Sequence, residues 1–262
     1  MSEVIVITSG KGGVGKTTAS ANIGMSLATK GYTVALLDAD IGLRNLDVVM
    51  GLENRIVYDI VDVVDGNCRI KQALIKDKRN PNLFLLPAAQ TKDKEAVLPG
   101  QMQKLCSSLK EDFDYVIIDC PAGIERGFKN AISGADKAIV ITTPEVSAVR
   151  DADRIIGLLE ANNLSNPKLI LNRIRMDMVN RGDMMTLEDI TEILAIDVLG
   201  VVPDDESVII STNRGEPAVL DIKSRAGQAF RDISARISGE DVPFMDLNTK
   251  ENLFDKLKKA FS

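Results

Sequence analysis

The residue pattern predicts an α/β fold: a doubly wound, mostly parallel sheet of about seven strands flanked by helices. Short aliphatic runs recur along the 262 residues, and the stretches between them are long enough to be helices. Apolar residues make up 45% of the chain while Trp is absent and aromatics are few. The core is therefore aliphatic, which suits a parallel sheet buried on both faces.

The expected strands are VIVIT (4–8), TVALLD (33–38), LFLLP (83–87), YVIID (115–119), KAIVIT (137–142), KLILN (168–172) and VLGVVP (198–203). KTTASANIGMSLATKG (16–31) is the first helix, with Ile23 and Leu27 on its apolar face and Gly31 at its stop. No linker, repeat or low-complexity tract divides the chain. One domain is expected over 1–238, then a connecting segment over 239–250 and a terminal helix over 251–262. In a doubly wound sheet ligands collect at the carboxyl ends of strands, and here those positions are polar and acidic.

Composition excludes several functions. A net charge of −6 opposes a protein that coats nucleic acid through a general positive field, so no nucleic-acid partner is expected. Cys68, Cys106 and Cys120 form no CxxC pair, which fits a reducing compartment without a disulfide frame or zinc site. No signal peptide or membrane-spanning run is read, and the chain is expected in the cytoplasm. With no histidine, every mechanism built on an imidazole base or ligand is ruled out.

After the first strand, Gly10-Lys11-Gly12-Gly13-Val14-Gly15-Lys16-Thr17 satisfies G-x-x-x-x-G-K-[ST], followed by Thr18. The glycines let successive backbone N–H groups turn inward as an anion nest, and the loop opens a helix whose amino end also attracts phosphate. Lys16 is expected to neutralise the β- and γ-phosphates and the Thr17 hydroxyl to ligate Mg²⁺. Lys11 is surplus to this motif. It is either a solvated surface lysine or a charge delivered to a second subunit's phosphates, in the manner of an arginine finger.

Asp38 and Asp40 stand at and just beyond the end of the second strand. In a chain without histidine a carboxylate is left to orient the attacking water, and Asp40 is the candidate. Asp38 would support Mg²⁺ through water; alternatively the two acids cap the next turn. Asp119, closing YVIID, fits a Walker B acid that holds Mg²⁺ through water. Pro121, Ala122 and Gly123 follow as a switch passing near the γ-phosphate. Asn172, with Arg173 beside it, stands where an amide can read adenine, unless it is a turn residue. Pro203, Asp204 and Asp205 can frame the ring with backbone groups. No guanine-reading N/TKxD run is present, so ATP is favoured over GTP.

The tail TKENLFDKLKKAFS repeats with helical period: Leu253, Phe254, Leu257, Ala260 and Phe261 share one arc, opposite Asp255, Lys256, Lys258 and Lys259. That is the pattern of an interfacial helix on anionic lipid, or of a terminal helix packed on its own domain.

The run KGGVGKTT (11–18) is similar to the deviant Walker A motif KGGxxK[ST] of the ParA/MinD family of ATPases. This resemblance implies a P-loop fold, ATP and Mg²⁺ as ligands, hydrolysis of ATP to ADP and phosphate, and a homodimer in the ATP state with Lys11 crossing the interface. DADIGLRNLD, CPAGIE, PEVSAVRDADR, NRGDM and GEPAVLD resemble the branch of the family that positions the bacterial division site. That branch implies slow hydrolysis and two competing partners, the division inhibitor MinC and the stimulator MinE. It further implies that Arg150, Asp151 and Asp153 lie on a partner-facing helix, which by residue type alone is a solvated charged face. The tail residues Leu253, Phe254, Lys256, Leu257, Lys258, Lys259 and Phe261 then become a peripheral anchor on the inner face of the cell membrane. A ParA-type DNA-partitioning ATPase and the flagellar-number regulator FlhG are the alternatives within the family.

Overall fold

The computed structural model describes residues 2–93 and 96–247. Eight strands, β1 (Glu3–Thr8), β2 (Val34–Asp38), β3 (Ile75–Lys76), β4 (Leu83–Leu86), β5 (Tyr115–Asp119), β6 (Lys137–Thr142), β7 (Lys168–Ile174) and β8 (Val198–Pro203), form one sheet. Their order is β3-β4-β2-β5-β1-β6-β7-β8. Seven are the expected runs, and all pairings among these seven are parallel. The eighth, β3, pairs antiparallel with β4 through only Ile75 and Lys76. Two residues give no periodicity to read, which is why the pattern predicts seven strands.

Alternate strand residues feed two cores. Val4, Val6, Leu37, Val116, Ile118 and Val140 point into one, beneath α5 (Pro99–Leu109), α6 (Arg126–Ile132) and α7 (Val146–Ala161). Ile5, Ile7, Leu36, Ile117, Ile139 and Ile141 point into the other, beneath α1 (Lys16–Thr29), α2 (Leu46–Met50) and α11 (Arg225–Ile237). Strands buried on both sides need aliphatic residues at every position, which explains the unbroken Val/Ile/Leu runs. Helix α1 is buried over most of its surface rather than on one face, because α2 and α11 cover what the sheet leaves. Gly24 permits this, since a Cβ there would collide with Leu36.

The remaining helices are short: α3 (Ile60–Val64), α4 (Ile70–Ala73), α8 (Met176–Val179), α9 (Leu187–Leu194) and α10 (Glu206–Asn213). At one sheet margin Arg79 donates to the carbonyls of Gly215 and Met50 at 2.7 and 2.6 Å while pairing with the buried Asp77. At the other, the Leu199 carbonyl of β8 accepts from Arg236 at 2.9 Å. Among the described residues no helix is long and apolar enough to cross a membrane.

Candidate nucleotide-binding site

The chain reverses its direction of travel across the sheet at β1, whose neighbours are β5 and β6. The crevice at the carboxyl ends of the strands opens at such a point. The loop after β1 fills it. Gly13 and Gly15 take the left-handed conformation, with φ 79° and 103°. Gly15 is the residue that begins α1, and it leaves the helix with no side-chain cap and no acid in the first turn. The amino end of a long helix thus keeps its positive end for an outside anion. Nothing stands within 4 Å of where a Cβ on Gly13 would lie, so the loop is open beside that residue.

The two lysines point to different places. Lys16 is buried, and its Nζ donates to Ser9 Oγ at 3.0 Å across the mouth of its own loop. Lys11 leaves the nest altogether: its Nζ lies 2.8 Å from Glu145 Oε2 and 3.1 Å from Ser147 Oγ, at the start of α7. Gly10 brings the loop against the same helix, where a Cβ would strike the Asp151 carbonyl. On α7, Arg150 and Asp153 are exposed, and Asp151 is half-buried against the loop.

Asp38 and Asp119 are cross-strand neighbours in the register of β2 and β5, and both are buried. Asp119 accepts from Ser20 Oγ at 3.1 Å and from the Thr17 hydroxyl. Asp38 accepts from the backbone N–H groups of Asp40, Asn45 and Leu46 at 2.9, 3.2 and 3.1 Å, so its carboxylate shapes the loop that carries Asp40. Burial drives both carboxyls above the ordinary range, and the charge of Asp119 raises Asp38 further. Hydrogen bonds to Thr17 and Ser20 and the charge of Lys16 pull Asp119 partly back.

Two buried acids behind a hydroxyl are a donor set suited to a hard divalent cation. Among the described residues no group of three or more His, Cys, Asp or Glu side chains is arranged to hold a metal. An ion here would take protein oxygen from Thr17, with the rest from water and phosphate, as Mg²⁺ does in phosphoryl-transfer sites.

Beside the loop lies a cleft of about 660 Å³, lined by Gly15, Thr18, Asn172, Arg173, Pro203 and Asp204 among others. Asn172 is buried and its Nδ2 donates to the Val14 carbonyl at 2.7 Å, which fastens β7 to the phosphate loop. Arg173 is exposed with φ 58°. Asp205 turns its carboxylate away, to the N–H groups of Ser207 and Ala226 at 2.9 and 3.0 Å, leaving its backbone to the cleft. Pro121 is buried and Ala122 exposed; the Ala122 methyl lies 3.9 Å from where a Cβ on Gly12 would sit, and Gly123 has φ 91°. Burial pushes the Cys120 thiol up to about 12, so it is an inert filler.

The expected nucleotide, metal and switch residues thus meet at one end of the sheet. Ser9, Ser20, Glu145 and Ser147 join them without having been singled out. The hydroxyls have no spacing rule, and the pairing of Lys11 with Glu145 spans 134 positions. Leu253, Phe254, Lys256, Leu257, Lys258, Lys259 and Phe261 lie outside the described residues.

A glycine nest at the amino end of a central helix, with a buried lysine and a strand-end acid beside it, defines a P-loop nucleotide-binding protein. Residues 5–218 match the CobQ/CobB/MinD/ParA nucleotide-binding domain, and the chain belongs to that family. It is 60% identical to the septum site-determining protein MinD of Bacillus subtilis, covering all of this chain and 98% of that one. Among solved structures it is similar to MinD in the MinC:MinD cell division protein complex of Aquifex aeolicus, at 51% identity and a TM-score of 0.87, over 94% of this chain and 99% of that one. It is also similar to septum site-determining protein MinD of Pyrococcus horikoshii complexed with Mg-ADP, at 29% identity and a TM-score of 0.82, over 90% and 96% of the two chains.

Proposed function

We propose that this chain is a Mg²⁺-dependent ATPase switch of division-site selection. It pairs around ATP, settles on the inner face of the cell membrane, recruits the division inhibitor MinC, and is released when MinE stimulates hydrolysis. The observation that carries this reading is the separation of the two lysines, one inside its own nest and one directed onto the exposed surface of α7.

In the reaction, ATP and water give ADP and phosphate. The backbone N–H groups of residues 10–18 hold the phosphate chain, and Lys16 neutralises its β- and γ-oxygens. Thr17 would hold Mg²⁺ directly, with Asp119, Asp40 and Asp38 acting through water or behind it, and the ion would supply positive charge to offset that of the phosphates. Asp40 orients the attacking water and accepts its proton. Asn172, Arg173, Pro203 and the backbone of Asp204 and Asp205 surround the base. When two copies meet face to face, Lys11 leaves Glu145 for the partner's phosphates, and Pro121, Ala122 and Gly123 adjust to the γ-phosphate. Arg150, Asp151 and Asp153 on α7 then form part of the surface that MinC and MinE contest.

The tail couples this cycle to lipid. One amphipathic helix over 251–262 gains a few kcal/mol at an anionic surface at most, since ordering about ten residues costs roughly as much as burying four large side chains returns. Two tails on one dimer bind with avidity raised on the order of 10²–10⁴. Co-sedimentation of the full chain with anionic vesicles tests this: binding in ATP and little in ADP is expected, and removing residues 251–262 should abolish binding while basal hydrolysis persists. Equal sedimentation in the two nucleotides would defeat the reading. DNA pelleting separates it from a partitioning ATPase, and none is expected from an acidic chain.

A further inference from the structure

We infer that residues 239–247 are a strap that fixes where the tail leaves the body, and that Arg236 is its positioning residue. This rests on the reading that paired tails hold the protein on a membrane.

Helix α11 ends beside the start of β8, where Arg236 Nη1 donates to the Leu199 carbonyl. Gly239, with φ 88°, turns the chain back. Arg236 then holds the returning segment: Nε donates to the Val242 carbonyl at 2.9 Å and Nη2 to the Pro243 carbonyl at 2.8 Å. The Phe244 ring lies on the same guanidinium, 4.3 Å from ring centre to Cζ. At the opposite end of α11, Arg225 Nη2 donates to the Asp246 carbonyl at 3.0 Å. The strap therefore runs the length of α11 in reverse.

Its side chains have a seat. Phe244 and Leu247 line a cavity of about 310 Å³ together with Met176, Leu187 and Val201. The start of α11 is joined to the base-side loop, because the Ala226 N–H donates to Asp205 at 3.0 Å. The strap thus delivers Leu247, the root of the tail, to the nucleotide end of the sheet.

The consequence is a short tether. From Leu247 to residue 251, where the proposed tail helix would begin, is about three residues, whereas from the end of α11 it is about thirteen. Effective concentration falls roughly as the −3/2 power of tether length beyond the span, so losing the strap weakens capture of the second tail about ninefold. Only a planar fork reaches three carbonyls at once, so lysine is no substitute for Arg236.

The test is sedimentation of the full chain with phosphatidylglycerol vesicles in ATP and in ADP, with amide hydrogen exchange over 239–247. For Arg236→Gln, basal ATPase, ATP-dependent pairing and ADP-state binding should match wild type. ATP-state vesicle affinity should fall about ninefold and strap amides should exchange faster. Arg236→Lys should not restore affinity. A ten-residue Gly/Ser insert after Leu247, which leaves both arginines in place, should reproduce the affinity loss without faster strap exchange; it carries the test if Arg236→Gln fails to fold. Wild-type ATP-state affinity in the insert variant, or in Arg236→Gln with a loosened strap, overturns the inference, as does equal loss in both nucleotides. Wild-type protein that ignores ATP on vesicles overturns the dimer-and-tail reading itself, and this inference with it.

Discussion

Lys11 Nζ and Glu145 Oε2 are 2.8 Å apart, an ion pair between the phosphate loop and the approach to α7. Both side chains are substantially exposed, 39% and 57%, so the pair is a weak tie that a better anion can replace. A lysine held this way is kept from its own nest and stays on the surface, as its proposed role toward a second copy requires.

Breaking the tie should favour pairing. Glu145→Gln is expected to shift the ATP-state monomer–dimer equilibrium toward the dimer by up to about fivefold for each of the two subunits, the worth of an exposed ion pair. Lys11→Ala should still bind ATP and stay monomeric. Sedimentation velocity reads both, and a dimeric Lys11→Ala would sink the proposal that this lysine acts in trans.

Lys16→Ala should weaken ATP binding by roughly ten- to hundredfold, the range for losing a charged hydrogen-bond donor. Fluorescence titration with a labelled nucleotide measures it. Unchanged affinity would remove Lys16 from the phosphate site.

Asp40→Ala should retain ATP within a few-fold yet turn it over on the order of 10²–10⁴ times more slowly, the contribution of a positioned carboxylate base. Its dimer should persist in ATP. Normal single-turnover rates would pass the water-orienting role to another group.

The pH dependence of stability tests the buried pair. The chain has no histidine, so apart from the amino terminus no group in an ordinary environment titrates between about pH 5 and 8. Asp38 and Asp119 are raised by burial, Asp38 to about 8. The folded, ligand-free chain therefore holds protons that the unfolded chain has released. Stability should fall as pH rises through the window from the unfolded value, near 4, to the raised folded one. Calorimetry should record a declining Tm across it, flattened in Asp38→Asn; an equal slope in that variant would place the titration elsewhere.

Gly10→Ala should destabilise the fold by about 1–3 kcal/mol, the cost of forcing a methyl into an occupied contact, because its Cβ meets the Asp151 carbonyl. Urea denaturation checks this, and a neutral result would mean that the loop and α7 separate without cost.

Much of this was legible in the residues. The seven parallel strands follow from aliphatic runs that need burial on both faces, and the nest from its glycine spacing. Asp119 closes β5 and Thr17 lies in the opening turn of α1 as expected, and Asp40 lies two residues past β2; the roles given to them are proposed. What the residues did not disclose depends on the tertiary path. Asp38 reads as one acid of a pair; its engagement with three backbone N–H groups appears only when the loop folds over it. Asn172 lies two residues inside the end of β7, which runs on to Ile174 rather than stopping at 172 as the pattern predicts, and its amide hydrogen goes to Val14, across 158 positions. Residues 242–247 carry no periodicity, and it is Arg236 and Arg225, far along α11 from one another, that give them a course.

Both rims of the sheet are poor templates for another strand. One ends in the two-residue β3, and the other, β8, closes with Pro203 and has its Leu199 carbonyl occupied by Arg236. Copies of this molecule are thereby discouraged from joining edge to edge into an ever-growing ribbon. If copies pair as proposed, self-recognition falls to the loops around the nucleotide site, where the fuel itself would license or dissolve it.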